Sequence, residues 1–190
     1  MKKALMIVSI LLVAVVSTAC INNIAVQELN NKAAEYMQKG DYESAMNRLQ
    51  ASLDLDNTMY QTYYNLGVAA INANKYDVAI KALEDGIKIN PDYVDFYYSL
   101  GVAQIGFADD IYEKTELKEN VTADTETGNV EVERNVADVD KSEMFDLKRS
   151  AIINLKKYLE LNPNAKEKES IDEMVQQCED FIAENEKKEK

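Results

Sequence analysis

Apolar residues along the middle of the chain recur three and four positions apart: Leu66, Ala69 and Ala70, then Ala79, Ile80, Leu83 and Ile87. That spacing marks one face of an amphipathic helix and predicts two short helices, over roughly residues 60–73 and 76–89. The pattern then returns after 34 residues. Tyr63-Tyr64 recur as Tyr97-Tyr98, and Leu66-Gly67-Val68-Ala69 as Leu100-Gly101-Val102-Ala103. One unit earlier, Ala33 aligns with Gly67, Gly40-Asp41-Tyr42 with Asn74-Lys75-Tyr76, Ala45 with Ala79 and Leu49 with Leu83. A fixed period of this length, each unit a helix pair, is the signature of a stacked repeat array. The units run over about 26–59, 60–93 and 94–163. Gly67, Ala79, Gly101 and Ala45 fall where two antiparallel helices must approach closely. Asn90-Pro91 ends the second helix, because proline disfavours a helical conformation in the residue before it.

The third unit is interrupted. Ala79 and Ala151, Leu83 and Leu155, Ile87 and Leu159, and Pro91 and Pro163 share an offset of 72 residues, 38 more than the repeat. The extra chain sits between the two helices of that unit and reads as an acidic loop over 109–146, with 13 acidic and 4 basic residues. Leu117–Thr122 and Val130–Val136 alternate apolar and polar residues around Thr125–Asn129, a pattern that permits a short hairpin. A solvated loop, a docking arm for a basic partner and a calcium site are the three readings of this segment. Asp124, Glu126 and Gly128 lack the spacing of a calcium-binding loop. Residues 164–190 form a charged amphipathic helix suited to capping the array. Within it, Cys178 reads as a small buried hydrophobe or as a reactive thiol.

At the other end, Lys2 and Lys3 precede an apolar run from Ala4 to Val16, followed by Ser17-Thr18-Ala19 and Cys20. This is the layout of a secretory signal peptide, residues 1–19. The uncharged stretch Ala4–Ala19 is 16 residues, shorter than the roughly 20 a spanning helix needs. Ser17-Thr18-Ala19-Cys20 resembles the lipobox of a bacterial lipoprotein precursor. That resemblance implies cleavage after Ala19, a lipid such as palmitate on Cys20, a short tether over 20–25 and a cell-envelope location. Ile21 after the lipid site favours the periplasmic face of the outer membrane in a double-membraned bacterium. With Cys20 acylated, Cys178 has no intramolecular disulfide partner.

Leu-Gly at 66–67, the tyrosines, Ala79 and Pro91 resemble the tetratricopeptide repeat, over about residues 26–163. The resemblance implies an all-α, right-handed superhelical array of three helix-turn-helix repeats plus a C-terminal capping helix. It also implies a concave face, lined by the first helix of each pair, that binds an extended peptide or a partner helix. Projected onto this chain, that face comprises Gln27, Asn30, Ala34 and Gln38, then Gln61, Tyr64, Val68 and Asn72, then Asp95, Tyr98 and Val102. It holds no Lys or Arg, so a clamp for a C-terminal carboxylate is missing. Tyr64 and Tyr98 either anchor a ligand or pack between units, whereas Tyr63 and Tyr97 pack inside.

Composition narrows the chemistry. A net charge of −13 repels nucleic-acid backbones and anionic surfaces. Without a single His, the chain lacks the usual general base near pH 7 and most zinc sites. No phosphate-binding loop, metal cluster or activated nucleophile is present in the sequence. The expectation is a non-enzymatic protein with no cofactor beyond the lipid, acting as a protein-interaction scaffold in an envelope assembly. A recognition subunit for a small ligand or a cell-wall polymer is the alternative.

Overall fold

The computed structural model describes residues 23–122 and 130–188, with side chains for 23–114 and 141–185. The expected signal peptide and Cys20 lie outside the described residues, as do residues 123–129, where the hairpin turn at Thr125–Asn129 was expected. Among the described residues seven helices follow one another: α1 (residues 23–38), α2 (Tyr42–Leu55), α3 (Tyr60–Asn72), α4 (Tyr76–Ile89), α5 (Asp95–Thr122), α6 (Val130–Leu161) and α7 (Lys168–Lys188). Among the described residues there is no strand.

The first two pairs are closed by the same device. Gly40 and Asn74, one repeat apart, adopt φ of 74° and 55°, the left-handed conformation that Gly and Asn tolerate best. Around them the amides of Gly40 and Asp41 donate to the carbonyls of Met37 and Tyr36, and those of Asn74 and Lys75 to Ile71 and Ala70. These are paired Schellman bonds, which satisfy the orphan carbonyls of a helix end. Asp41 then caps α2, its carboxylate accepting from the Ser44 amide at 3.1 Å. The hydrogen bonds from Ser44 hold the Asp41 carboxyl below its ordinary value.

Between the helices of each pair a small residue faces a leucine: Ala33 and Leu49, Gly67 and Leu83, Gly101 and Leu155, all buried. A Cβ at Gly67 would stand 2.5 Å from Leu83 Cγ, and one at Gly101 would stand 2.7 Å from Leu155 Cγ. Real atoms do not approach so closely, so these glycines set the inter-helix distance. The core forms consecutive clusters along the array. One joins Ala33, Leu49, Leu53, Leu66 and Ala69, the next Ala70, Ala79, Leu83, Phe96 and Leu100, and a third Leu155, Tyr158, Ile171 and Val175. Phe96 is fully buried, and burial of such a ring contributes about 1.5–3 kcal/mol relative to leaving it in water.

The third pair differs from expectation. Within 109–146, residues 109–122 and 130–146 are helical where a loop was expected: α5 runs through to Thr122 and α6 is described from Val130. Leu117–Thr122 and Val130–Val136, whose alternation permits a short hairpin, are helical. The reason is local. Where Gly40 and Asn74 turn the chain, the third repeat has Ala108, buried and helical. No left-handed residue stops the helix, and extending it adds a backbone hydrogen bond for each residue fixed. The base of this long hairpin is also part of the core, since Ala108, Met144 and Phe145 pack with Ile111, Leu147, Phe181 and Ile182. Asn154 Nδ2 donates to Gln104 Oε1 at 2.9 Å deeper in the same pair. The capping helix α7 buries Ile171, Val175 and Cys178. Burial pushes the Cys178 thiol up in pKa, with Lys148 pulling weakly the other way, so the reading of a small buried hydrophobe fits.

Candidate partner-binding face

The first helices of the three pairs, α1, α3 and α5, present the residues predicted to meet a partner. Their positions form rows one repeat apart. Gln27, Gln61 and Asp95 make the first row, and all three are exposed. Ala34, Val68 and Val102 make a second, exposed on α1 and half-buried on α3 and α5. Gln38 and Asn72, both exposed, make a third. Gln27 Nε2 donates to Asn23 Oδ1 at 2.9 Å, and Asn72 Nδ2 donates to the Val68 carbonyl at 2.8 Å. These are bonds within one helix, so the amides remain at the surface.

The remaining row, Asn30, Tyr64 and Tyr98, turns toward the neighbouring helices. Asn30 Nδ2 donates to Ser52 Oγ at 2.8 Å, and Asn30 Oδ1 accepts from Thr62 Oγ1 at 3.3 Å. One amide thus ties α1, α2 and α3 together, and buried Ser52 and Thr62 find partners as buried polar groups must. One repeat on, these three positions are Tyr64, Gly86 and Phe96. The polar triad has become an aromatic one. The Tyr64 ring meets Phe96 edge-on at 5.7 Å and Tyr93 at 5.1 Å, and Tyr60 meets Tyr93 at 5.2 Å. Gly86 has no side chain because the Phe96 ring occupies the space a Cβ would take. On α5 the same position, Tyr98, packs against Tyr158 at 5.4 Å.

Tyr64 therefore packs between units and Tyr98 within its own helix pair, and each keeps part of its surface in solvent. Tyr63 and Tyr97 are half-buried, with Tyr97 Oη donating to the Pro91 carbonyl at 3.0 Å. Burial raises the Tyr64 phenol above its ordinary value. Tyr93 is pushed up to about 12, by burial first and then by the nearby Asp95 charge. Sequence reasoning passed over Ser52, Thr62, Gly86, Tyr93 and Phe96. The signal was the repeat register itself, which pairs Asn30 with Ser52 and Thr62 exactly as it pairs Tyr64 with Gly86 and Phe96.

Helix pairs of fixed period, a small residue opposite a leucine in each and a row of inter-repeat contacts define the architecture. Residues 36–105 match the family model of the tetratricopeptide repeat. The tetratricopeptide fold extends well beyond that segment. The second such domain of human RPAP3, solved with an HSP70 peptide, is 13% identical with a TM-score of 0.57, covering 83% of this chain and 98% of that one. The Arabidopsis OM64 tetratricopeptide domain is 14% identical at a TM-score of 0.56, covering 83% and 96%. The Yersinia enterocolitica type III secretion chaperone SycD, solved with a peptide of the translocator YopD, is 17% identical at 0.53, covering 80% and 91%. No curated protein matches the chain. Among the described residues, no group of His, Cys, Asp and Glu is placed to hold a metal. No described helix is long and apolar enough to cross a membrane.

Proposed function

We propose that this protein is a non-catalytic interaction scaffold that receives an extended peptide or a helix of a partner protein along α1, α3 and α5. A lipid on Cys20 holds it at a membrane of the bacterial cell envelope, where it serves an assembly; the outer membrane is the location favoured in a double-membraned cell. It needs no cofactor besides that lipid. The observation that carries the reading is the set of solvent-facing rows Gln27–Gln61–Asp95, Ala34–Val68–Val102 and Gln38–Asn72 across three consecutive helices. Amide side chains there offer donors and acceptors to a peptide backbone, and the two valines offer apolar contact. Two proteins of the same fold were solved with peptides bound. The face carries Asp95 and no basic side chain, so the partner segment is neutral or cationic and does not depend on a terminal carboxylate.

Photo-crosslinking in cells tests this reading. A crosslinking amino acid at Gln61 or Asn72 is expected to capture a protein adduct that the same group at Lys81, on the outer helix α4, does not. Equal capture from both sides, or none from Gln61 and Asn72, overturns the assignment of the face. For the anchor, Cys20→Ala is expected to release the chain from the membrane fraction or to block its processing to the mature mass.

A further inference from the structure

Leu55, Ile89 and Leu161 are the last residues of α2, α4 and α6, and they occupy the same position in their respective repeats. They are exposed to nearly the same extent, 43%, 40% and 42%. Ile24, in the first turn of α1, is 68% exposed. Because the helices of a pair are antiparallel, the start of α1 and the ends of α2, α4 and α6 lie along one edge of the array. An exposed large aliphatic side chain thus recurs in every repeat along one edge.

The opposite edge has the reverse character. It holds the Schellman turns at Gly40 and Asn74 and the long α5–α6 hairpin. From Asp109 to Thr122, α5 continues for about 20 Å at 1.5 Å per residue. Residues 109–146 carry 13 acidic side chains against 4 basic ones, a charge of −9. The connecting segments of the aliphatic edge, 56–59, 90–94 and 162–167, carry Asp56, Asp92 and Glu167 against Lys166, a charge of −2.

Cys20 stands three residues before Asn23, the first described residue of α1. Three residues of fully extended chain reach about 10 Å. An acyl chain on Cys20 would therefore hold the aliphatic edge next to the lipid and leave the anionic hairpin pointing away.

From this geometry we infer that the edge bearing Ile24, Leu55, Ile89 and Leu161 rests on the bilayer surface, so that the array stands upright with its acidic hairpin projecting from the membrane. The inference rests on the lipid anchor proposed above. Leu55, Ile89 and Leu161 supply apolar contact at the headgroup boundary, which strengthens with buried apolar area. The hairpin, which an anionic surface would repel, is kept beyond the Debye length of about 8 Å at physiological salt.

The test uses the mature lipidated chain with Cys178→Ala, reconstituted in phosphatidylethanolamine–phosphatidylglycerol vesicles carrying a nitroxide on the headgroup. A fluorophore is attached in turn through Leu55→Cys, Ile89→Cys and Leu161→Cys, and through Lys39→Cys and Lys75→Cys at the opposite edge. Quenching severalfold stronger at 55, 89 and 161 than at 39 and 75 is the expected result. Equal quenching at both edges, or stronger quenching at 39 and 75, overturns the orientation and leaves the anchor standing. A mature mass showing no lipid on Cys20 overturns the anchor and the orientation together.

Discussion

Lys148 Nζ donates to the Asp109 carboxylate at 2.6 Å across 39 positions of sequence, yet the two residues stand where earlier repeats have consecutive ones, Asp41-Tyr42 and Lys75-Tyr76. The ion pair spans the third repeat at the level where the other two repeats turn. Lys148 is only 6% exposed while Asp109 is 58% exposed, and the ammonium also lies 4.8 Å from the centre of the Phe181 ring on α7. A buried cation held by one carboxylate and one ring fixes how the hairpin and the capping helix meet.

The two halves of this pair should respond unequally to substitution. Asp109→Asn leaves the buried ammonium without its anion and should destabilise by about 1–3 kcal/mol, the solvent-exposed carboxylate screening part of the larger loss expected of a fully buried pair. Lys148→Met removes the charge and keeps the volume, and should stay within about 1 kcal/mol of wild type. Urea unfolding midpoints of the two variants check the order.

Gly86 sits against Phe96 with no room for a side chain. Gly86→Leu should therefore cost about 1–3 kcal/mol by overpacking, as should Gly67→Leu against Leu83. Gly40 has open space around it but a φ of 74°, so Gly40→Ala should cost about 1 kcal/mol through backbone strain alone. Thermal denaturation of the three variants separates the two causes if Gly40→Asn, which tolerates that conformation, recovers most of the loss.

The distal part of the hairpin and its base should behave differently on deletion. Replacing residues 115–140 by a short Gly/Ser turn should shift Tm by about 3 °C or less, since loop-closure entropy changes slowly with length. Carrying the deletion through Met144 and Phe145 removes core residues buried against α7 and should cost several-fold more. Calorimetry on both deletions tests the boundary.

Tyr93 should carry an alkaline signature. Its phenol is held at about 12, above the value of about 10 for an unfolded tyrosine. The folded state thus keeps a proton that the unfolded state has lost. The stability it contributes is intact below pH 10 and declines as pH rises toward 12. Tyr93→Phe should flatten the fall in unfolding free energy over that window, and tyrosinate absorbance should show one phenol fewer titrating late.

The array was legible in the sequence because its signals are local and repeated. Periodic apolar positions, Leu-Gly at 66–67 and 100–101, and proline after Asn90 and Asn162 are each readable within one or two turns of helix. The exposed rows of the candidate face could likewise be placed by projection, because Gln27, Gln61 and Asp95 share one position in the repeat. Two things required the tertiary structure. Whether position 30, 64 or 98 faces a partner or a neighbour depends on what fills the space opposite it: Ser52 and Thr62 for Asn30, the room left by Gly86 and the Phe96 ring for Tyr64, and Tyr158 for Tyr98. The acidic insertion, polar enough to read as a loop, is helical over 109–122 and 130–146 because Ala108 replaces the left-handed residue that turns the other repeats, and because Phe145 and Phe181, far apart in sequence, meet with tilted rings 6.2 Å apart. A local pattern specifies which helices form; the side chains contributed by distant segments decide which of their faces remain open to a partner.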